Sequence, residues 1–98
     1  MAIVEVSVVP LGVNATSLSP YVAKAVRVLK ESGLRYELTG MGTIIHGDLD
    51  EILAVVRRMH ETTFESGVAR TLTTIKIDDR RDRQSTPEDK VKSVMEKL

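Results

Sequence analysis

The chain contains no cysteine and no tryptophan, and its aromatic complement is two tyrosines and one phenylalanine. Without thiols, disulfides, thiolate nucleophiles and cysteine–zinc sites are all excluded. RNA-binding versions of small α/β sheets stack bases on strand aromatics, and the one phenylalanine, Phe64, falls in a helical stretch instead. Charge of a dominant sign is missing too: 14 basic and 14 acidic residues cancel, so no sequence-wide field draws nucleic acid or anionic lipid. That neutrality eases self-association. No apolar run approaches the ~20 residues that span a bilayer. The first residues run straight into a strand-like segment, without a basic leader region or a small-residue cleavage site. The expectation is a cytoplasmic protein with neither nucleic acid nor membrane as partner.

What is present fits one domain, residues 1–98. At this size roughly 60–70% of the unfolded chain's surface can be buried, an adequate but not generous core. Ile3 to Val9 is β-branched and partly alternating, with Val4, Val6 and Val8 on one face of a predicted strand. Pro10, Gly12 and Asn14 open a loop. Ser19-Pro20 reads as a helix start, serine as the cap and proline in the first turn. Leu18, Val22, Ala25, Val26 and Leu29 follow at helical spacing until Gly33. Arg35 to Thr39 and Thr43 to His46 read as strands around Gly40-Met41-Gly42.

Asp48 and Glu51 have capping-box spacing and open a second helix, its stripe Leu49, Ile52, Leu53, Val56 and Met59, closed by Gly67. A fourth strand, Arg70 to Ile77, precedes the charged turn Asp78 to Arg83. Thr86-Pro87 starts a last helix carrying Val91, Val94, Met95 and Leu98 on one face. Glu31-Ser32-Gly33-Leu34 and Glu65-Ser66-Gly67-Val68 echo each other at the two helix ends. The order βαββαβ plus a terminal helix predicts an α+β fold: a ferredoxin-like plait, its antiparallel four-stranded sheet covered on one face by two helices.

The other face receives Ile3, Glu5, Ser7, Val9, Glu37, Thr39, Leu72, Thr74 and Lys76 by period-two alternation. Apolar residues among acids and a lysine suit a sheet-to-sheet dimer, with Glu5 or Glu37 meeting Lys76. The plain alternative is cover by water and the terminal helix.

Catalytic constellations are missing: there is no nucleophile elbow and no base–nucleophile pair by spacing, so an enzyme is not expected. His46 and His60 lack a metal-ligand spacing and read as structural or surface residues. The run from Asp78 to Arg83 reads as a solvated turn whose members pair with one another, a phosphate or cationic ligand being the alternative. Thr16, Ser17 and Ser19 crowd a helix start, where hydroxyls and amide groups can meet a polar ligand. Gly40-Met41-Gly42-Thr43 lets backbone approach something closely, and methionine is a soft wall for a flat ring. The same residues also read as a simple hairpin turn or bulge.

Val9-Pro10-Leu11-Gly12, Ser17-Leu18-Ser19-Pro20-Tyr21-Val22, Tyr36-Glu37-Leu38-Thr39-Gly40-Met41-Gly42-Thr43 and Thr74-Ile75-Lys76-Ile77-Asp78-Asp79-Arg80 run along nearly the whole chain. Together they resemble the small thiamine-binding-domain proteins. The resemblance implies a ferredoxin-like fold, dimers of facing sheets that assemble into tetramers, and non-catalytic binding of thiamine or its hydroxymethylpyrimidine part, with no cofactor besides that ligand. It places Met41 and Thr43 against the pyrimidine, with Gly40 and Gly42 giving access, Thr39 among the binding residues, and Ser17 and Ser19 offering hydroxyls or the helix start to ring nitrogens. A thiazolium cation would prefer a carboxylate, for which Glu5, Glu37 and Asp78 are candidates. The rival expectation is a regulatory or structural oligomerisation module with no affinity for thiamine.

Overall fold

A computed structural model describes residues 1–98. β1 spans Ala2–Leu11, α1 Ser19–Ser32, β2 Arg35–Leu38, β3 Thr43–Gly47, α2 Leu49–Glu65, β4 Arg70–Asp78 and α3 Pro87–Met95. The four strands form one sheet in the order β2-β3-β1-β4, every neighbouring pair antiparallel. This is the ferredoxin-like plait with an added C-terminal helix.

The long central strand β1 sets the register. Val4 stands opposite Ile45 and Ile77, and Val6 opposite Thr43 and Ile75, so one pleat face carries the apolar set toward α1 and α2. Val4, Val6, Val8, Ala25, Leu29, Ile45, Ile52, Val55, Val56 and Met59 form the buried core, with Leu34 and Tyr36 packed on its edge. Fully burying each of the valine, leucine, isoleucine and methionine side chains contributes on the order of 1.5–3 kcal/mol.

Several local expectations are corrected. Ser19 is not the cap of α1: Leu18 holds that position without a side-chain cap bond, and its carbonyl accepts from the Tyr21 and Val22 amides. Pro20 therefore sits in the first turn, as its missing N–H suits. β1 runs through Pro10 to Leu11, paired on the β4 side, and Thr39 lies outside β2. On α2 the buried flank includes Val55, Thr62 and Thr63, while Leu53 is left exposed. Thr62 and Thr63 fit there because their hydroxyls donate to the Met59 and His60 carbonyls one turn back.

The echoed tetrads do occupy equivalent helix ends. Gly33 and Gly67 have φ of 79° and 85°, the left-handed conformation that only glycine adopts without strain. Each turns the chain so that the next residue, Leu34 or Val68, packs inward.

Candidate functional site

Leu38 and Thr43 pair at the base of the β2–β3 hairpin, and Thr39 organises its turn. The Thr39 hydroxyl donates to the Gly42 carbonyl at 2.8 Å and accepts from the Gly42 and Met41 amides at 3.2 and 3.3 Å. Both roles of that oxygen are used within the turn, so Thr39 builds the site rather than offering it a free hydroxyl. A Cβ on Gly42 would stand 3.0 Å from the Val6 carbonyl oxygen, whereas one on Gly40 would meet nothing within 4 Å. The close approach anticipated for the two glycines is thus real at Gly42 alone, and what approaches is β1. Met41 projects from the tip with 89% of its surface exposed.

Between this turn, β1 and α1 lies a cavity of about 150 Å³. Leu18, Val22, Leu38 and Met41 wall it, Val8, Ala25 and Met59 line it from the core, and all of Thr39, Gly40, Gly42 and Thr43 border it. None of the bordering side chains titrates. Apolar cavities near 150 Å³ accept a single six-membered ring. Thr43 stands at the start of β3, almost wholly buried, and no hydroxyl or amide sealed in the interior lacks a partner. Ser7, Thr39 and Thr43 are the residues with side-chain hydroxyls on the cavity's border.

Of the two serines, Ser19 borders a neighbouring groove of about 660 Å³ along α1, shared with Leu18, Val22, Leu38 and Thr39 and flanked by Arg27 and Lys30. Ser17 borders neither space and holds Ser19, Oγ to Oγ at 3.1 Å. The structure therefore brings Thr39 to Thr43 together at one cavity, leaves Ser19 beside it, and sets Ser17 behind Ser19. Sequence reasoning missed Val22, Leu38 and Met59, which read only as core; the signal was their convergence on the turn, which periodicity cannot show.

The carboxylates Glu5, Glu37 and Asp78 lie elsewhere, lining a cleft of about 1270 Å³ on the opposite sheet face under α3. Glu5 stands 3.9 Å from Lys76 of the same chain, so that pair forms without a partner. α3 bridges the cleft through Arg35 with Glu88 and through Lys90 with Asp78 at 2.5 Å. Its start is a complete capping box, Thr86 and Asp89 bonding each other's amides. Yet no residue of α3 is buried, and Val91, Val94 and Met95 keep 60–63% of their surface. The terminal helix thus roofs one end of the face without sealing it.

The charged turn behaves as a solvated cluster. Arg80 clasps Asp82 through two nitrogens, at 2.6 and 2.9 Å, and Arg81 holds Asp79 at 2.8 and 3.1 Å. Hydrogen bonds from these guanidiniums hold the Asp79 and Asp82 carboxyls below the usual aspartate range. His60 Nδ1 lies 2.6 Å from the Thr73 hydroxyl and its ring meets Phe64 edge-on, a structural tie between α2 and β4. His46 Nδ1 lies 3.4 Å from Arg35. No helix is long and apolar enough to cross a membrane.

The fold and turn define a class: a ferredoxin-like α+β domain with a ring-sized cavity at the seam of sheet and first helix. The chain belongs to the thiamine-binding protein family, whose profile matches residues 4–95. It is 50% identical over 99 residues to a UPF0045 protein of Methanothermobacter thermautotrophicus, covering 100% of each chain. To the UPF0045 protein YqgV of Bacillus subtilis it is 41% identical over 102 residues, covering 100% of this chain and 98% of that one. The crystal structure of a hypothetical protein of Methanocaldococcus jannaschii superposes with a TM-score of 0.88 at 42% identity, covering 97% and 96% of the two chains. A candidate thiamine biosynthesis/salvage protein of Thermotoga maritima superposes with a TM-score of 0.78 at 25% identity, covering 95% and 97%.

Proposed function

We propose that this protein is a non-catalytic cytoplasmic binder of a thiamine-like heterocycle, taking the hydroxymethylpyrimidine ring into the cavity at Thr39 to Thr43 and working as a homo-oligomer. The observation that carries the reading is the cavity itself: largely apolar, sized for one ring, bordered by Ser7 and Thr43 and by no titratable side chain. A flat ring with polar edges wants soft apolar walls and a few fixed hydrogen-bond partners. A site without an acid or base has nothing to transfer a proton with, which favours binding over catalysis. Membership of the thiamine-binding family supports the ligand class. The groove beside the cavity is flanked by Arg27 and Lys30, and the carboxylates lie across the sheet. The thiazolium cation of whole thiamine is therefore less welcome there than the free pyrimidine.

Self-association is proposed through the bare sheet faces. Ile3, Val9 and Leu72 on that face and the exposed stripe of α3 supply apolar surface that a second copy would cover. The competing reading, an interaction module without thiamine affinity, draws on the same exposed stripe.

A thermal-shift panel of hydroxymethylpyrimidine, thiamine and the isolated thiazolium alcohol tests the ligand. A fragment at a hundred times its Kd adds about 2.7 kcal/mol, a clear rise in Tm. The pyrimidine is expected to shift the melt most, and the thiazolium not at all. Melting curves unmoved by every fragment would reject the binding reading and leave the interaction module. Light scattering tests assembly, a 10.8 kDa monomer removing it.

A further inference from the structure

The ring-sized cavity and the groove along α1 are neighbours with a common wall: Leu18, Val22, Val26, Leu38 and Thr39 line both. The cleft under α3, by contrast, shares no lining residue with the cavity. On the helix, Val22 and Val26 lean toward the cavity side and are half-buried. Ser19, Ala23, Arg27 and Lys30 follow at four- and three-residue spacing, so they form the next stripe outward. A serine and an alanine keep its first half low, and the two long cations rise at its end.

The polar groups of the groove are unequal. The Thr39 hydroxyl is used inside the turn, and Ser19 is bonded to Ser17. Arg27 and Lys30 take part in no ion pair, while Lys24 on the same helix is held by Ser66. Glu31, four positions after Arg27, does not pair with it, and no acid lines the groove. Lys30 lies in the last turn of α1, where a cation suits the helix's negative end. Arg27 sits a turn earlier and has no such use in the fold. Two unpaired positive charges therefore stand next to a cavity that itself holds no charge.

We propose that the groove is a phosphate subsite, and that the ligand is the phosphate monoester of hydroxymethylpyrimidine rather than the free alcohol. The inference rests on the ring reading above and names the form of the ring that is bound. The ring fills the cavity, its esterified hydroxymethyl arm passes the Val22–Val26 wall, and the dianionic phosphate lies between Arg27 and Lys30. Arginine offers a planar fork to phosphate oxygens and lysine a mobile point charge, so the two together match one dianion. Charge-assisted contacts this exposed are each worth a few-fold, and the pair sets the expected gain at about tenfold.

Calorimetric titration of the alcohol, its monophosphate and inorganic phosphate tests this. The wild type should bind the ester about tenfold more tightly than the alcohol, and inorganic phosphate far more weakly than the ester. The preference should shrink in concentrated salt, which screens exposed charges. Arg27→Gln/Lys30→Gln exchanges two exposed side chains for one of similar helix propensity, so circular dichroism should show an intact fold. The ratio of the two Kd values should fall to about one in that variant, and Arg27→Glu/Lys30→Glu should invert it. An alcohol that binds as tightly as its ester, inorganic phosphate that binds as tightly as the ester, or a preference kept by the folded glutamine variant would overturn the subsite and leave the ring reading standing. A chain that binds neither the alcohol nor the ester overturns both.

Discussion

Gly42 of the β2–β3 turn stands against Val6 of β1 so closely that a Cβ would come within 3.0 Å of the Val6 carbonyl oxygen. Backbone cannot swing aside as the end of a flexible side chain can, so the hairpin itself must shift. Gly42→Ala is therefore expected to cost about 1–3 kcal/mol, the usual range for forcing extra volume into a packed site. Gly40→Ala, one residue before the tip and facing open space, should cost nothing or stabilise by a few tenths of a kcal/mol through the unfolded chain. Urea denaturation of the pair checks this, and equal costs would show that the close approach is not what holds the turn.

Met41 gives a test of the cavity that stability does not confound. Its side chain borders the cavity from the exposed tip, so Met41→Glu removes the soft wall without touching the core. The melting temperature of the free protein should stay within about 2 °C, corresponding to under ~0.5 kcal/mol for a surface change. The rise in melting temperature caused by hydroxymethylpyrimidine should vanish. A ligand shift that survives the substitution would move the binding site away from the turn.

Much of this architecture was legible because its signals are local. Alternation in Ile3 to Val9, the left-handed glycines Gly33 and Gly67, and the Thr86-Pro87 start each depend on a few adjacent residues, and the structure keeps all of them. The cap of α1 was misread because serine's preference lost to geometry: the chain turns one residue earlier, at Leu18. The Thr39 to Thr43 turn was visible as a candidate from its glycines and methionine, but its cavity was not. Val22, Leu38 and Met59 reach it from three separate elements, a long-range convergence that spacing along one element cannot encode. The carboxylates are the opposite case: alternation along the strands already assigns Glu5 and Glu37 to the open face, and there they line the cleft under α3.

The α2 stripe offers a measurable contrast between pattern and packing. Leu53 fits the helical spacing as well as Ile52 does, yet Ile52 is fully buried and Leu53 is 37% exposed. Ile52→Ala should therefore cost about 2–5 kcal/mol, the lost transfer energy plus the cavity left behind. Leu53→Ala removes a partly covered side chain without leaving a sealed void and should cost less, about 1–2 kcal/mol. Chemical denaturation at a concentration that keeps the chain monomeric compares them directly. A Leu53→Ala cost equal to that of Ile52→Ala would mean that the α2 flank is packed more deeply than its exposure indicates.

α3 should be the first element to loosen in acid. The Arg35 hydrogen bond, followed by the helix's own amide at Glu88, holds the Glu88 carboxyl below its ordinary value of 4.5. The Thr86 amide and then the Thr86 hydroxyl's place in the capping box do the same for Asp89, below 3.8. A carboxyl whose folded-state pKa is depressed contributes its stabilisation fully above the ordinary value and loses it as pH falls through the lowered one. Docking of α3 is therefore expected to be constant from neutral pH down to about 5 and to fail progressively below the ordinary carboxylate values. Both groups are exposed, so concentrated salt should mimic part of the effect by screening the Arg35–Glu88 pair. Nothing in α3 is buried, and the sheet and core should survive its release. Backbone NMR relaxation across a pH series reads this: amides from Glu88 to Met95 become mobile while those of β1 stay rigid. Glu88→Gln should shift the onset of that mobility to neutral pH. If α3 instead stays ordered until β1 itself unfolds, the two ion pairs are not what hold the helix over the sheet.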